Sequence, residues 1–175
     1  MNDLLTRRLI LMRHAKSDWD DPAIADHDRP LNRRGRKAAP RMAQWLSSNG
    51  AVPDIILGST AMRVRETVSL MQEQWQYEAT ELYCRDLYLA AADTILRVVG
   101  SDALDHQTVM LVAHNPGLEE LISRWFGSPL RIPTATAAIF ELRLSHWHEL
   151  RWQTALQCVA LQRPKELSEV GQRDD

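Results

Sequence analysis

The stretch LILMRH, residues 9–14, decides how this chain is organised. Its four apolar residues predict a short strand that is buried on both faces, as in a parallel sheet covered by helices. The predicted strand, residues 7–12, is followed at once by Arg13 and His14, a cation and a titratable imidazole. Because ligands of open α/β sheets bind at the carboxyl ends of the strands, we expect this pair to face a ligand.

Two further apolar runs end in the same way. Residues 55–57 are followed by a tight turn and by a helix that carries Arg63 in its first turn. Residues 108–113 are followed directly by His114. If the three strands run parallel, two arginines and two histidines meet at one edge of the sheet.

Apolar residues at helical spacing predict four helices between and after these strands. The first follows Asn32, its predicted N-cap, and contains Pro40, which we expect to kink the helix or to shift its start. Asp93 is the expected cap of the third helix. Asn115, with Pro116 at the next position, is predicted to open the fourth.

The remaining segments complete an α/β pattern. Residues 82–84 predict a weaker strand, and residues 134–144 and 150–161 predict a closing antiparallel pair. Strands that alternate with helices over short connections predict a three-layer α/β/α sandwich with a mostly parallel central sheet. We expect a single domain over residues 1–163 and a flexible C-terminal tail over residues 164–175.

Composition narrows the class of protein. The net charge of −2 over 175 residues gives no basic field that would recruit nucleic acid or an anionic membrane. No apolar segment approaches the roughly 18 residues of a membrane-spanning helix, and the apolar run before Arg13 is too short for a secretory signal. Cys84 and Cys158 lack the spacing of a zinc site or of a disulfide framework. We therefore expect a cytoplasmic protein without a nucleic-acid or membrane partner.

The predicted cluster suits phosphoryl chemistry. Guanidinium groups match phosphate oxygens in pairs, helix N-termini favour an anion, and a neutral imidazole is a competent nucleophile toward phosphorus. A single histidine after a strand is more often a packed or surface residue than a catalyst. The shared placement of Arg13, His14, Arg63 and His114 is what favours a catalytic interpretation.

A zinc site is the alternative for the two histidines. The neighbouring arginines disfavour zinc at His14 and His114, because they repel a cation. The HxH pair at residues 146–148 lies in a predicted turn without a third ligand nearby. We expect His27 and His106 at the surface.

Two segments around the first helix stand out. The polar loop 17–32 is long for a compact domain, which is typical of functional loops. Residues 29–41 contain six arginine or lysine residues and no acid. They form a solvated helix face or, alternatively, a docking patch for an acidic or phosphorylated partner.

Four motifs resemble, in order, those of the histidine phosphatase superfamily, also called the phosphoglycerate mutase-like family. They are RHA at residues 13–15, RHAKSDWDD…DHDRPLNRRGRKAA within residues 13–39, STAMRVRET at residues 59–67 and LVAHNPG at residues 111–117. The second motif and the short chain are similar to the SixA-type branch, the phosphohistidine phosphatases. The resemblance covers most of the chain, although Ala15 stands where the family signature has Gly.

The resemblance implies a metal-independent phosphatase without a cofactor, with a phosphoglycerate mutase-like fold. His14 would attack phosphorus and carry a covalent phosphohistidine intermediate, which water then hydrolyses. Arg13, Arg63 and His114 would bind the phosphoryl oxygens and stabilise charge in the transition state. Further substrate contacts are expected from two polar residues, Ser17 and Asn115.

The sequence departs from the family at the proton donor. Asn115 follows the second histidine where acid phosphatases of the superfamily have Asp, and residues 85–100 lack the Glu of the mutases. Asp86 and Asp93 remain as candidate general acids. A missing strong acid suits imidazole as leaving group, because imidazole, with a pKa of about 6.5, departs more easily than an alkoxide.

The leading hypothesis is therefore hydrolysis of phosphohistidine in a protein through phospho-His14. One alternative is a phosphomonoesterase that acts on a small phosphorylated metabolite, with Asp86 or Asp93 as acid. The other is a module that binds a phosphorylated ligand with little turnover. The intact set of two arginines and two histidines argues against the binding module, since a degenerate binder tends to lose its nucleophile.

Overall fold

The computed structural model of the chain describes residues 5–167. The strands are β1 Leu5–Arg13, β2 Ile55–Ser59, β3 Thr80–Cys84, β4 Thr108–Ala113, β5 Ala137–Leu144 and β6 Leu156–Gln162. The α-helices are α1 Arg33–Ser48, α2 Met62–Gln72, α3 Ala92–Asp102 and α4 Gly117–Phe126. The four predicted helices and the predicted strands are therefore confirmed, with ends that differ by a few residues.

One sheet contains all six strands, in the order β3-β2-β4-β1-β5-β6. The strands from β3 to β1 pair in parallel, whereas β5 is antiparallel to β1 and β6 is antiparallel to β5. This arrangement confirms the mostly parallel sheet with a closing antiparallel pair. Cys84 and Cys158 are free and lie in strands at opposite edges of this sheet.

Strand β1 lies inside the sheet and is buried on both faces. Leu9 and Leu11 join an apolar cluster with residues of α3 and α4, and Ile10 and Met12 join a second cluster with residues of α1 and α2. Each of these side chains contributes about 1.5–3 kcal/mol by leaving water. The continuous apolar run is thus explained by helices on both sides, and the fold is the predicted three-layer sandwich.

The register of the parallel strands sets the functional edge. Arg13 pairs with Ala113 at the ends of β1 and β4, so the next residue of each strand is a histidine and the two lie side by side. Gly58 of β2 pairs with Val112 of β4, which brings Ser59 to the same level. The sheet therefore presents residues from three strand ends along one line.

Helix α1 begins as predicted. The side chain of Asn32 accepts a hydrogen bond from the Gly35 backbone N–H at 3.0 Å, which caps the helix. Pro40 lies within α1 and does not shift its start.

Two predicted caps are wrong. Helix α3 begins at Ala92, so Asp93 lies inside its first turn, where its carboxylate accepts a hydrogen bond from Trp152 Nε1 at 2.6 Å. Helix α4 begins at Gly117 with Pro116 in the N-cap position, so Asn115 precedes the cap. The side-chain amide of Asn115 donates to Glu119 and to the Ile132 carbonyl instead, and these contacts hold it away from a capping geometry.

Two further expectations concern the C-terminal tail and membrane-spanning helices. Residues 164–166 form a 3₁₀ turn, and the Leu167 carbonyl accepts a hydrogen bond from Arg41 of α1. The rest of the tail expected over residues 164–175 lies outside the described residues. Among residues 5–167, no helix combines the length and apolarity needed to cross a membrane.

Gly35 is the point where α1 meets the segment that leaves β1. A Cβ atom at this position would collide with the backbone carbonyl oxygen of Lys16. We expect Gly35→Ala to lower the free energy of unfolding by about 1–3 kcal/mol, because neither backbone can yield easily. Urea unfolding measures this change, with Gly100→Ala in α3 as control, since a Cβ there would lie 3.4 Å from the nearest backbone atom outside the helix, the Trp147 carbonyl oxygen. Equal loss of stability in both variants would contradict the close approach.

Candidate active site

The centre of the candidate site is a pair of histidines, one after each of the strands β1 and β4. The ring centroids of His14 and His114 lie 5.0 Å apart, with the planes tilted at 54°. Both residues are buried, with 6% and 2% of their surface exposed. The strand register thus brings together the two imidazoles that the sequence placed at this edge.

His14 is held as a neutral imidazole of defined tautomer. Its Nδ1 lies 2.7 Å from the carbonyl oxygen of Ala15. Because a carbonyl only accepts, Nδ1 carries the proton, and Nε2 keeps its lone pair. The pKa of His14 is lowered to about 3, mainly by burial and also by the proximity of His114, Arg63 and Arg13, against the opposing effect of the hydrogen bond to Ala15.

His114 is also neutral but makes two side-chain contacts. Its Nε2 lies 2.8 Å from Ser59 Oγ, and its Nδ1 lies 3.4 Å from Arg63 Nη2. Since a guanidinium only donates, Nδ1 is the acceptor and Nε2–H donates to Ser59. Burial and the charge of Arg63 lower the pKa of His114 to about 3.

Two guanidinium groups lie against this pair. Arg63 is the second residue of α2, and 5% of its side chain is exposed. Arg13 ends β1 and donates from Nη1 to the Ile132 carbonyl at 2.9 Å, whereas its buried Nε has no hydrogen-bond partner among the described residues. An unpaired N–H of a buried cation is suited to an anionic oxygen.

Asp26 is a site residue that the sequence reasoning missed. Its backbone carbonyl accepts from Arg63 Nη1, and its Oδ2 lies 3.0 Å from Arg63 Nη2. The hydroxyl of Tyr88 donates to the same Oδ2 at 2.6 Å. The hydrogen bond from Tyr88 and the neighbouring Arg63 lower the pKa of Asp26 despite partial burial. The unusual length of loop 17–32 was the available signal, but it did not single out this residue.

Arg29 also belongs to this cluster rather than to an outer basic face. Its guanidinium stacks over the ring of Trp19 at 4.0 Å, and only 13% of its side chain is exposed. Its Nε lies 3.9 Å from Asp26 Oδ1, and its Nε and Nη1 have no hydrogen-bond partner among residues 5–167. Arg29 therefore lies on the Asp26 side of the cluster, next to the carboxylate that contacts Arg63.

The predicted substrate contacts are already engaged with the protein. Ser17 is buried, and its hydroxyl accepts from Trp19 Nε1 at 3.1 Å. Asn115 bridges Glu119 and the Ile132 carbonyl, the same carbonyl that receives Arg13. Asn115 thus supports the segment that anchors Arg13.

The two candidate acids make contacts elsewhere. Asp86 pairs with Arg97 of α3 at 2.7 Å, and both side chains are largely exposed. Asp93 is bonded to Trp152. Within the described part of the chain, neither carboxylate makes a hydrogen bond or ion pair with His14, His114 or an arginine of the site.

The remaining histidines differ from each other. His27 is not a simple surface residue: it is half-buried, its Nε2 lies 2.9 Å from Thr60 Oγ1, and its ring packs against Tyr88 at 5.0 Å. The prediction overlooked that loop 17–32 folds onto α2. His106 is half-buried as well. The rings of residues 146 and 148 stack at 5.2 Å, and no group of three or more His, Cys, Asp or Glu side chains in residues 5–167 could hold a metal ion.

Chemically, the site is a neutral imidazole with an available lone pair beside fixed positive charge. Nε2 of His14 keeps the lone pair, and the guanidinium groups of Arg13 and Arg63 are close enough to help lower the pKa of His14. Such a site favours a dianionic phosphoryl group over a cation, because guanidinium groups repel metal ions and match phosphate oxygens.

The sequence of the chain is similar to a family model and to a known protein. The family model of the histidine phosphatase superfamily (branch 1) matches residues 9–83. An uncharacterized chloroplastic protein of Arabidopsis thaliana is 38% identical over 154 residues, which cover 83% of this chain and 71% of that protein.

Two solved structures are similar over nearly their whole length. A SixA protein of Agrobacterium tumefaciens, a candidate phosphohistidine phosphatase, is 28% identical, with a TM-score of 0.77 over 90% of this chain and 98% of that chain. A SixA protein of Nakamurella multipartitia, described in the same way, is 29% identical, with a TM-score of 0.74 over 93% of this chain and 98% of that chain.

The lowered pKa values of the two histidines make the fold sensitive to acid. In the unfolded chain each imidazole binds a proton near its ordinary pKa of 6.5, whereas in the folded chain this occurs only at about 3. The unfolded state therefore binds more protons between these values, and stability is lost as the pH falls below about 6.5. Removing one imidazole with His14→Asn should remove part of this loss.

When the pH falls from about 7.5 to about 5, we expect the unfolding free energy of wild type to drop by about 2 kcal/mol more than that of His14→Asn. Urea unfolding at the two pH values measures the shift. His146→Asn is the control, because the side chain of His146 is exposed. Parallel pH profiles for wild type and His14→Asn would show that His14 is not held neutral.

Proposed function

Since this chain belongs to the histidine phosphatase superfamily, in its SixA-type branch, we propose that this phosphatase hydrolyses phosphohistidine in a protein through a covalent intermediate on His14. The observation that carries the proposal is the tautomer of His14. Its Nδ1–H is committed to the Ala15 carbonyl, so Nε2 offers a lone pair close to the guanidinium groups of Arg13 and Arg63.

In the first step His14 Nε2 attacks phosphorus. The new bond joins Nε2 to phosphorus, the bond between phosphorus and the substrate nitrogen breaks, and the electron pair stays on the departing imidazole. Because the pKa of His14 is about 3, the nucleophile is neutral throughout the physiological pH range and needs no base to free its lone pair.

The phosphoryl oxygens are bound by Arg13, Arg63 and His114. The Nε–H of Arg13 is unpaired, and the Arg63 Nη2–H that faces His114 Nδ1 at 3.4 Å is released for the phosphoryl group once His114 is protonated. An arriving dianion also favours the charged form of His114, whose Nδ1 could then donate to a phosphoryl oxygen. Binding thus adds positive charge where the transition state develops negative charge.

The leaving group is the reason for choosing phosphohistidine over a phosphate ester. An alkoxide needs a strong acid, and Asp86 and Asp93 are bonded to Arg97 and Trp152 instead. An imidazole accepts its own proton near neutral pH and leaves without that help. The alternative, a phosphomonoesterase, requires one of these acids to reach the leaving oxygen.

The histidine pair lines neither of two cavities in the structure. One, of about 720 Å³, is lined by residues such as Glu119 and Arg131, and the other, of about 460 Å³, by residues such as Asp93 and Trp152. The free cysteines, in strands at opposite sheet edges, support a reducing compartment such as the cytoplasm.

A basic surface beside the site is suited to docking the phosphorylated protein. Arg33, Arg34 and Lys37 are exposed on the first two turns of α1. This end of the helix is joined to the site because the Asn32 N–H donates to the Lys16 carbonyl, two residues after His14. Arg36, in contrast, pairs with Glu66 at 3.3 Å.

The covalent step is tested with a phosphohistidine protein labelled on the phosphoryl group. Wild type that is denatured rapidly in alkaline detergent should retain label that is stable to base and lost in acid. His14→Ala should retain none and should lose turnover, because the nucleophile is absent. The control His146→Ala should behave as wild type. Undiminished turnover by His14→Ala would refute the covalent intermediate.

The leaving-group argument is tested with the candidate acids. Asp86→Asn and Asp93→Asn should leave hydrolysis of the phosphohistidine protein unchanged, and β-glycerol phosphate, whose leaving group is an alkoxide, should be the poorer substrate of all three proteins. Steady-state kinetics on both substrates measure this. A large loss on β-glycerol phosphate in one variant, with efficient turnover by wild type, would favour the phosphomonoesterase.

The docking surface is tested by charge reversal. Replacing Arg33 and Arg34 together by Glu should lower kcat/KM for the protein substrate by about 10-fold at low salt, through slower association, and should spare p-nitrophenyl phosphate. Arg143→Glu is the control, because Arg143 is exposed and pairs with Thr6, at the end of β1 opposite His14. Equal loss on both substrates would argue against docking at α1.

A further inference from the structure

Asp26 is the carboxylate that contacts the phosphoryl-binding arginine in the described part of the chain. We propose that Asp26 is a further catalytic residue, whose carboxylate positions the water that attacks phospho-His14 and accepts the proton of that water. The inference rests on the proposed function, because it concerns the second step of the same reaction.

The contacts of Asp26 place it next to the reacting groups. Its Oδ2 lies 3.0 Å from Arg63 Nη2, and the same Nη2 lies 3.4 Å from His114 Nδ1. The His114 ring lies in turn 5.0 Å from that of His14. A phosphoryl group that is bonded to His14 and held by Arg63 is therefore separated from the carboxylate by one guanidinium contact.

The two carboxylate oxygens have different surroundings. Oδ2 accepts hydrogen bonds from Tyr88 and Arg63. Oδ1 lies 3.9 Å from Arg29 Nε, which is too long for a hydrogen bond. Oδ2 thus fixes the carboxylate, and Oδ1 keeps lone pairs for a water molecule.

The carboxylate is held by several segments, so its position is well defined. Tyr88, which follows β3, packs edge-on against His114 at 5.4 Å and against His27 at 5.0 Å. Arg63 comes from α2. Preorganised groups of this kind require little rearrangement during the reaction.

The charge of Asp26 suits a base more than an acid. The hydrogen bond from Tyr88 and the neighbouring Arg63 lower its pKa, so it is ionised before the reaction begins. The first step needs no acid when the leaving group is an imidazole, whereas the second must remove a proton from water. The positive charges of Arg13 and Arg63 act on His14 itself, so a phosphoryl dianion is still attracted there.

The step balances as a hydrolysis. The water oxygen forms the new bond to phosphorus, the bond between phosphorus and His14 Nε2 breaks, and its electron pair returns to the imidazole. The water proton passes to Asp26 Oδ1 and then to solvent, and inorganic phosphate leaves. In the loose transition state of phosphoryl transfer, most of the contribution of the carboxylate is to orient the water.

The experiment separates the two steps in the full-length protein. Asp26→Asn keeps a side-chain oxygen and the size of the side chain, so that the contacts with Arg63 and Tyr88 can remain. The amide, however, cannot accept a proton. In rapid-quench experiments with the labelled phosphohistidine protein, label should transfer to His14 at a rate close to that of wild type. Breakdown of the labelled enzyme should slow by about 100-fold or more, so that labelled enzyme accumulates.

Asp28→Asn is the matched control. Asp28 lies in the same turn and contacts His27 Nδ1, and its side chain is 67% exposed. This variant should form and lose the labelled intermediate as wild type does. If Asp26→Asn does not fold, Tyr88→Phe decides: it removes a donor to Oδ2 and leaves the carboxylate, and it should slow breakdown selectively.

Two results would overturn the role of Asp26. Equal slowing of formation and breakdown would mean that Asp26 only holds Arg63, and unchanged breakdown would mean that it takes no part. A different result bears on the proposed function instead. If wild type and Asp26→Asn never carry label and His14→Ala still turns over, the covalent mechanism itself is wrong.

Discussion

The pairing of Arg13 with Ala113, at the ends of two neighbouring parallel strands, is the constraint on which the rest of the site depends. It makes the two strands end at the same level, so that the following residues, His14 and His114, must lie side by side. A shift of one residue would turn each side chain to the other face of the sheet. The apolar clusters on both faces of β1 hold this register, because a slip would expose Leu9 and Leu11 or force them against the wrong helices.

The same burial that fixes the register determines the chemistry. Two imidazoles that are withdrawn from water next to guanidinium groups remain neutral, and the Ala15 carbonyl and the Arg63 guanidinium select their tautomers. The fold loses stability at low pH, because the unfolded chain binds protons on these imidazoles that the folded chain does not bind. His14, the proposed nucleophile, thus needs no general base, and keeping it unprotonated lowers the stability of the fold in acid.

Most of the fold and half of the site follow from local sequence. Continuous apolar runs, helix spacing and the residues after each strand end predict the sheet and place Arg13, His14, Arg63 and His114 together. Asp26 has no such signal, because its role depends on how loop 17–32 folds back onto α2 and Tyr88. Local propensity also misassigns the caps. An aspartate or asparagine near a helix start resembles a cap until a tertiary partner such as Trp152 or Glu119 engages it.

The folding of loop 17–32 also explains why the basic residues of segment 29–41 have different surroundings. A run of six basic residues suggests one continuous surface, but the structure divides it. Arg29 turns inward onto Trp19 and toward Asp26, whereas Arg33 and Arg34 remain in solvent at the start of α1. Cations there are unfavourable for the helix dipole, so helix stability does not explain them. Loop 17–32 thus places the Asp26 carboxylate against Arg63 and leads directly into the exposed basic residues at the start of α1. In the proposed mechanism, this single loop and its junction with α1 would link the reaction to the recognition of its substrate.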